Sequence, residues 1–351
     1  MNASLSLTKN IIASNFKRLN TPYKLTYAIT YWCNSRCELC SIWKKPIKQE
    51  LTTTQIRKFF ETNRYFNWIH LTGGEIFLRP DALEIMTTII ETQPELYLLN
   101  MPTNGLLPER IYKTTKAMLT HHPRHCMISI SLDGPETVHD KLRGIKGGFK
   151  KAVQTYKLLS KLKSKTFSCY FGVTVSGHNQ KLLEQTYSAL KKEIPHLKRS
   201  EIHLNIAHVS SHYYGNTEKQ LGMNSGIADD IQAFVKKTPR ALNPVGFLER
   251  IYQNQITNYL RTKKTPMPCK ALASSVFLNP YGILFPCSMW NYPLGNIKDY
   301  NYDIRKVWNA SQTIRALKII MEKKCPHCWT PCEAYQTILG NLSKSIPSII
   351  S

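Results

Sequence analysis

Acidic residues are scarce in this chain of 351. There are 23 Asp and Glu against 47 Lys and Arg, a formal net charge of +24. That imbalance favours anionic partners (nucleic acid, an anionic membrane face, phosphorylated metabolites, an acidic peptide) and says nothing about fold. A solvated basic surface accounts for most of it. Long apolar runs are missing as well, so no transmembrane span is expected. The first twenty residues, MNASLSLTKNIIASNFKRLN, lack the continuous apolar core of a secretory signal, and a cytoplasmic chain is expected. Leu5, Leu7, Ile11, Ile12, Phe16 and Leu19 would instead form one face of a short helix docked on the body. Internal repeats are absent, and the only biased stretch is a Ser/Ile-rich end after Asn341. With 42% hydrophobic residues the chain can build a substantial core, which excludes disorder as the default.

Cysteine, by contrast, is plentiful. Ten are present, in spacings that a small disulfide scaffold would not use in a chain this long. Cys33, Cys37 and Cys40 make a C-x3-C-x2-C run. Random placement of ten cysteines would produce that run only roughly 0.008 times. Three thiolates in eight residues can hold three corners of an iron–sulfur cube and leave one iron open to chemistry. A structural zinc site with a fourth ligand from elsewhere is the competing reading.

Short apolar strands alternate with amphipathic helical stretches between residues 24 and 209. The strands expected are Leu25–Tyr31, Trp68–Thr72, Leu96–Met101, Met127–Leu132, Phe167–Val175 and Ile202–Val209. Helical patterns fall at 53–63, 81–92, 108–121, 148–163 and 181–193. This βαβ order predicts a parallel sheet, and six strands predict an incomplete (β/α)6 TIM-like barrel with its chemistry at the C-terminal strand ends. The division expected is a 1–22 extension, a 23–210 core, a 211–264 helical connector, a 265–340 cysteine-rich α+β module and a 341–351 tail.

The cysteine run in TYWCNSRCELCSIW resembles the signature of the radical S-adenosylmethionine (radical SAM) enzymes. Three further motifs continue the resemblance: Thr72-Gly73-Gly74-Glu75, Pro102-Thr103-Asn104-Gly105, and Ile130 to Pro135 followed by His139 to Gly144. Leu39 departs from it, since the family more often has an aromatic between the last two cysteines. The resemblance implies a [4Fe–4S] cluster on Cys33, Cys37 and Cys40 whose open iron chelates S-adenosylmethionine. It also implies reductive cleavage of that cofactor to a 5′-deoxyadenosyl radical, fed by a low-potential donor of the flavodoxin or ferredoxin class. Gly73, Gly74, Glu75, Asn104, Ser131, Asp133, Arg143 and Asn179 are the expected cofactor contacts. Glu75 or the neighbouring carbonyls would accept from the methionine ammonium, Arg143 would pair with the carboxylate, and Ser131 and Asp133 would bond the ribose. No protein side chain is assigned a catalytic role, because the radical arises at the cluster.

A second cysteine group lies near the C-terminus, in a stretch expected to form short β hairpins around Asn279-Pro280-Tyr281-Gly282 and a helix near 303–322. Cys269-x12-Gly282-x4-Cys287, followed by Cys325, Cys328 and Cys332, is similar to the SPASM or Twitch auxiliary-cluster extensions of that family. The longer extension carries seven cysteines for two clusters; the five here suit one auxiliary [4Fe–4S] cluster. Cys269, Cys287, Cys325 and Cys328 are its expected ligands, with Cys332 either replacing one or standing free; zinc remains the alternative. Cys126 and Cys169 fall in strands and are read as packing. His70, His203 and His208 sit in or beside strands and are read first as satisfied core or rim histidines, with contact to substrate from His203 and Asn205 as the alternative.

The resulting expectation is an oxidoreductase that abstracts hydrogen from a small molecule or peptide, with the auxiliary cluster accepting the substrate's electron. A peptide- or protein-modifying maturase is the alternative, set second because few residues precede the first strand. A zinc-structured nucleic-acid-binding protein is the alternative from another class. It is disfavoured because no aromatic–basic recognition motif is present.

Overall fold

The computed structural model describes residues 2–46, 48–239 and 244–345. Six strands run parallel: β1 (Lys24–Thr30), β2 (Trp68–Gly73), β3 (Leu98–Thr103), β4 (Cys126–Ser131), β5 (Phe167–Val175) and β6 (Ile202–Ile206). They lie side by side in sequence order, joined by the helices Thr53–Thr62, Ala82–Thr92, Pro108–Leu119, Gly148–Ser160 and Leu183–Glu193. Each expected helix is present, with ends within a few residues of the pattern. Thr52 starts the first of them with a capping box, its side chain and that of Gln55 satisfying each other's backbone N–H groups.

Strand periodicity decides what faces the lumen. In β5 the residues Phe167, Cys169, Phe171, Val173 and Val175 are buried beneath the helices, while Ser168, Tyr170, Gly172 and Thr174 alternate on the other face. The same alternation puts Asn100 and Pro102 of β3, Ser129 and Ser131 of β4, and His203 and Asn205 of β6 around one interior space. A lumen lined by small and polar residues leaves room for a ligand. Cys126 and Cys169 belong to the packed face, as their strand positions suggested.

The barrel does not close on itself. The free edge of β1 is taken by β7 (Ser275–Leu278), which runs parallel to it. β8 (Ile283–Phe285) and β9 (Gly295–Asn296) follow antiparallel, giving the order β6-β5-β4-β3-β2-β1-β7-β8-β9. The turn at Asn279–Gly282 is the hairpin read from the sequence, with Gly282 at φ +88°. The C-terminal module is thus continuous with the barrel sheet, which the sequence did not suggest.

Three readings are corrected. The N-terminal helix Ala3–Phe16 docks with Ala3, Ser6 and Ser14 buried and with Leu7 and Ile11 packed against Leu19, Tyr23 and Trp68, but Leu5, Ile12 and Phe16 of the expected face are exposed. Polar bonds share in setting the orientation: Ser6 Oγ donates to Glu95, and Asn10 Nδ2 donates to Asn67 Oδ1 at 2.7 Å. The helix expected at 303–322 is two helices, Ile304–Trp308 and Ser311–Met321. Glu136–Arg143 and Pro331–Leu339 are helices in segments given no element by pattern. Part of the expected tail, 346–351, lies outside the described residues.

Candidate active site

Three backbone clamps shape the loop that carries Cys33, Cys37 and Cys40. At the end of β2, Gly74 N donates to Thr30 O (2.8 Å) and Glu75 N to Trp32 O (2.7 Å), fixing the residues just before Cys33. A Cβ on Gly73 would lie 2.1 Å from Thr30 O, and one on Gly74 2.0 Å from Trp32 O. The glycines are therefore required by the closeness of this loop. Both also line the cavity. On the other side, Arg36 N and Glu38 N donate to the carbonyls of Arg143 and Leu142, at the C-terminal end of Glu136–Arg143. From the polar loop after β6, Tyr214 O accepts from Ser41 N (2.8 Å), and Asn216 Nδ2 donates to Leu39 O (2.8 Å).

Side chains complete the frame. The Glu75 carboxylate is fully buried and accepts from Thr103 Oγ1 on both oxygens, from Asn104 N (2.7 Å) and from Phe77 N. It does not line the cavity, so it does not receive a ligand ammonium as expected. Burial pushes it up to about 7. Asn104, held by that carboxylate, donates from Nδ2 to Asn34 Oδ1 (2.7 Å), Ser35 Oγ (3.0 Å) and Cys33 Sγ (3.9 Å). Glu75 thus acts on the cysteine loop through Asn104.

Asp133 and Arg143 form a buried ion pair, Nη2 to Oδ2 2.7 Å, while Thr174 N donates to the other oxygen. Arg143 Nη1 reaches Cys37 Sγ at 3.9 Å, and its buried Nε has no partner. Asn179 is a second correction. Its amide donates to the carbonyls of Asp133 and Thr174 and its oxygen accepts from Ser176, which ties β4 to β5 away from the cavity.

The remaining expected contacts meet in one cavity of about 280 Å³ inside the barrel. Cys33, Cys37, Cys40, Asn104, Ser131, Asp133 and Arg143 line it, together with Leu39 and, three residues beyond Cys40, Trp43. Deeper in, His203 stacks on Tyr170 with centroids 3.8 Å apart, and Asn205 donates to Thr174 Oγ1. His70 and His208 line it too, His208 accepting from Trp329 N. Burial pushes His208 down to about 4, so it stays neutral. Sequence reasoning missed Tyr213, whose hydroxyl pairs with Thr72 Oγ1 (2.6 Å) and accepts from Gly73 N (3.2 Å). A loop without periodicity carried no signal for it.

The second cysteine group divides. Cys269, Cys287, Cys325 and Cys328 stand near enough that their charges act on one another. Cys332 does not join them. It opens the helix Pro331–Leu339, whose first turn enters the barrel, and it lines the central cavity with Pro331 and Tyr335. Its carbonyl accepts from the buried Lys24 ammonium at the start of β1. All ten cysteines are free of disulfides.

The donor sets fit iron–sulfur clusters. Burial pushes Cys33 up to about 11 and Cys40 to about 12, so these thiols ionise only when a cation binds them. Their sulfurs receive N–H donors from Asn104 and Ile42, the surroundings that tune a cluster. Among the described residues no group of three or more His, Cys, Asp or Glu is gathered to hold a single metal ion. A cube of four irons keeps its thiolates further apart than one zinc does. The unpartnered Arg143 Nε in the same wall suits an anionic cofactor group.

The family model described as "Radical SAM superfamily" matches residues 27–190. The one described as an iron–sulfur cluster-binding domain, SPASM, matches 269–333. The chain carries a radical SAM domain at residues 27–190 and a SPASM module at 269–333. Its cofactors are a [4Fe–4S] cluster with S-adenosylmethionine and an auxiliary iron–sulfur cluster in the SPASM module. This chain is 26% identical over 339 residues to the antilisterial bacteriocin subtilosin biosynthesis protein AlbA of Bacillus subtilis (strain 168). That match covers 90% of this chain and 68% of AlbA. It is 31% identical over 143 residues to the sporulation killing factor maturation protein SkfB of the same strain, covering 40% and 33%. Among solved structures, native anSMEcpe with bound AdoMet shares the fold at a TM-score of 0.59 and 13% identity, over 94% of this chain and 98% of that one. Streptococcus suis SuiB bound to precursor peptide SuiA does so at 0.59 and 13%, over 88% and 69%. No helix among the described residues is long and apolar enough to cross a membrane.

Proposed function

We propose that this radical SAM enzyme oxidises a residue of a peptide precursor during its maturation. What carries the chemistry is the single cavity shared by Cys33, Cys37, Cys40, Arg143 and Asp133 at the strand ends and by Tyr170, His203 and Cys332 deeper in. The peptide reading draws on AlbA and SkfB, named for bacteriocin biosynthesis and killing-factor maturation, and on SuiB, solved with a precursor peptide. It reverses the order of the two alternatives set by the short N-terminal segment. The zinc-structured nucleic-acid reading falls with the radical SAM domain match.

Cys33, Cys37 and Cys40 hold the catalytic cluster in this reading, and Cys269, Cys287, Cys325 and Cys328 the auxiliary one. When bound, the reduced cluster and S-adenosylmethionine supply a 5′-deoxyadenosyl radical that removes a substrate hydrogen atom. Arg143 offers a planar donor fork to the cofactor carboxylate, with Asp133 fixing its orientation. Ser131 and Asn104 flank the same space. Leu39, Trp43 and Tyr214 present apolar surface that excludes water. A cluster held by Cys269, Cys287, Cys325 and Cys328 would accept the electron left on the substrate, a flavodoxin- or ferredoxin-class protein would serve as donor, and the module boundaries proposed are 23–210, 211–264 and 265–340.

The test is anaerobic reconstitution followed by incubation with candidate precursor peptides and, separately, small alcohols and sugars. A peptide losing two hydrogens, with deuterium passing from it into 5′-deoxyadenosine, is the expected result. Turnover of a small alcohol with no peptide modified would overturn the substrate assignment.

A further inference from the structure

A second cavity, of about 390 Å³, lies outside the barrel between the end of the N-terminal helix, the helix Ser311–Met321 and the auxiliary cysteines. Three independent features meet there. The first is access. Cys269 and Cys325 line it and are only partly buried, whereas Cys287 and Cys328 are buried. None of these four lines the barrel cavity. The auxiliary site therefore approaches the exterior through this opening.

The second is charge. Lys17, Arg18, Lys264, Lys270 and Lys323 line the cavity, and no Asp or Glu does. Among the described residues none of the five joins a salt bridge. Arg18 Nε donates to Leu272 O (3.0 Å) and Lys270 Nζ to Ser14 O (2.7 Å). Those bonds fix Arg18 and Lys270 in place without neutralising them. The neighbouring Glu322 is occupied by Lys318 and Lys324.

The third is apolar exposure. Phe16 is 85% and Met321 73% exposed, the two most exposed large hydrophobics among the described residues, and both line this cavity. An aromatic and a methionine within a cationic rim have the composition of a protein-binding surface.

We propose that this groove is the docking site of a small acidic one-electron carrier protein that exchanges electrons with the auxiliary cluster. The proposal rests on the reading that Cys269, Cys287, Cys325 and Cys328 hold that cluster. No bond forms or breaks in the step. The reduced cluster loses one electron and the oxidised carrier gains it, and the same contact serves the reverse transfer. Long-range attraction between the unpaired cations and an acidic carrier speeds encounter, and the exposed Phe16 and Met321 supply contact.

The test uses the reconstituted enzyme and a purified flavodoxin of net negative charge. Binding is measured by biolayer interferometry at about 50 mM and about 300 mM salt, ionic strengths between which screening shortens markedly. For the unaltered enzyme, Kd should rise at least tenfold with salt. The variant K17E/K264E/K323E should bind at least tenfold more weakly at low salt and lose that salt dependence. Its iron content and dithionite-driven 5′-deoxyadenosine formation should be unchanged. The milder K17Q/K264Q/K323Q should show a smaller loss, and serves if charge reversal impairs folding. Equal flavodoxin affinity in enzyme and variants would overturn the proposal. So would weakened binding of an acidic precursor peptide with flavodoxin binding intact, which would make the groove a peptide site. An enzyme reconstituting only about four irons would instead refute the auxiliary-cluster reading beneath it.

Discussion

The two cysteine groups are built on different plans. Cys33, Cys37 and Cys40 share one loop, pinned by backbone bonds from β2, from Glu136–Arg143 and from the segment after β6. Cys269, Cys287, Cys325 and Cys328 come from segments up to 59 residues apart and meet only because β7 joins the barrel sheet. The first group opens into the barrel cavity and the second onto the outer surface. A compact loop leaves one corner of its cluster free for a cofactor, whereas ligands gathered from several directions can enclose theirs. On the proposed reading, the difference would separate radical generation from electron exchange.

Replacing Cys33, Cys37 and Cys40 together by Ala should break the comparison most severely. Iron should fall by about half and 5′-deoxyadenosine formation should vanish, read by iron assay and chromatography. Changing Cys269 and Cys328 to Ala should also remove about half the iron, yet leave cofactor cleavage measurable while product is lost. Survival of product formation would show that the second site only braces the module. A smaller effect is expected for Glu75→Gln. The amide cannot accept from all three N–H and O–H donors now aimed at the carboxylate as the two oxygens do, so stability should drop by about 1–3 kcal/mol in denaturant titration. Cys332→Ala should change the iron content least of all. A loss of iron would return Cys332 to the ligand set from which its place in the cavity removes it.

Cys332 also marks where sequence reasoning stopped. Its spacing from Cys328 looked like a ligand's, but spacing cannot tell which way the first turn of a helix faces. Glu75 and Asn179 were legible as site residues because they sit at strand ends. Their carboxylate and amide are nonetheless consumed by Asn104, Thr103, Asp133 and Ser176, and partners of that kind become visible only when the strands are side by side. Tyr213 had no signal, since its role depends on a loop folding back onto β2. The N-terminal helix misled in part for a related reason: Leu7, Ile11 and Leu19 of the expected apolar face pack, but part-buried hydrogen bonds from Ser6 and Asn10 share in setting its rotation and Leu5, Ile12 and Phe16 stay exposed.

Local order alone determined the parallel strands, their helices and the three-thiol loop. Strand alternation and short motif spacing are properties of neighbours in the chain. The radical SAM domain followed from the same motifs. Tertiary structure decided the fusion of the module to β1, the separation of Cys332 from the other four thiols, and the groove where Phe16 meets Met321. Each of these depends on residues far apart in sequence finding a common surface, which no local pattern records.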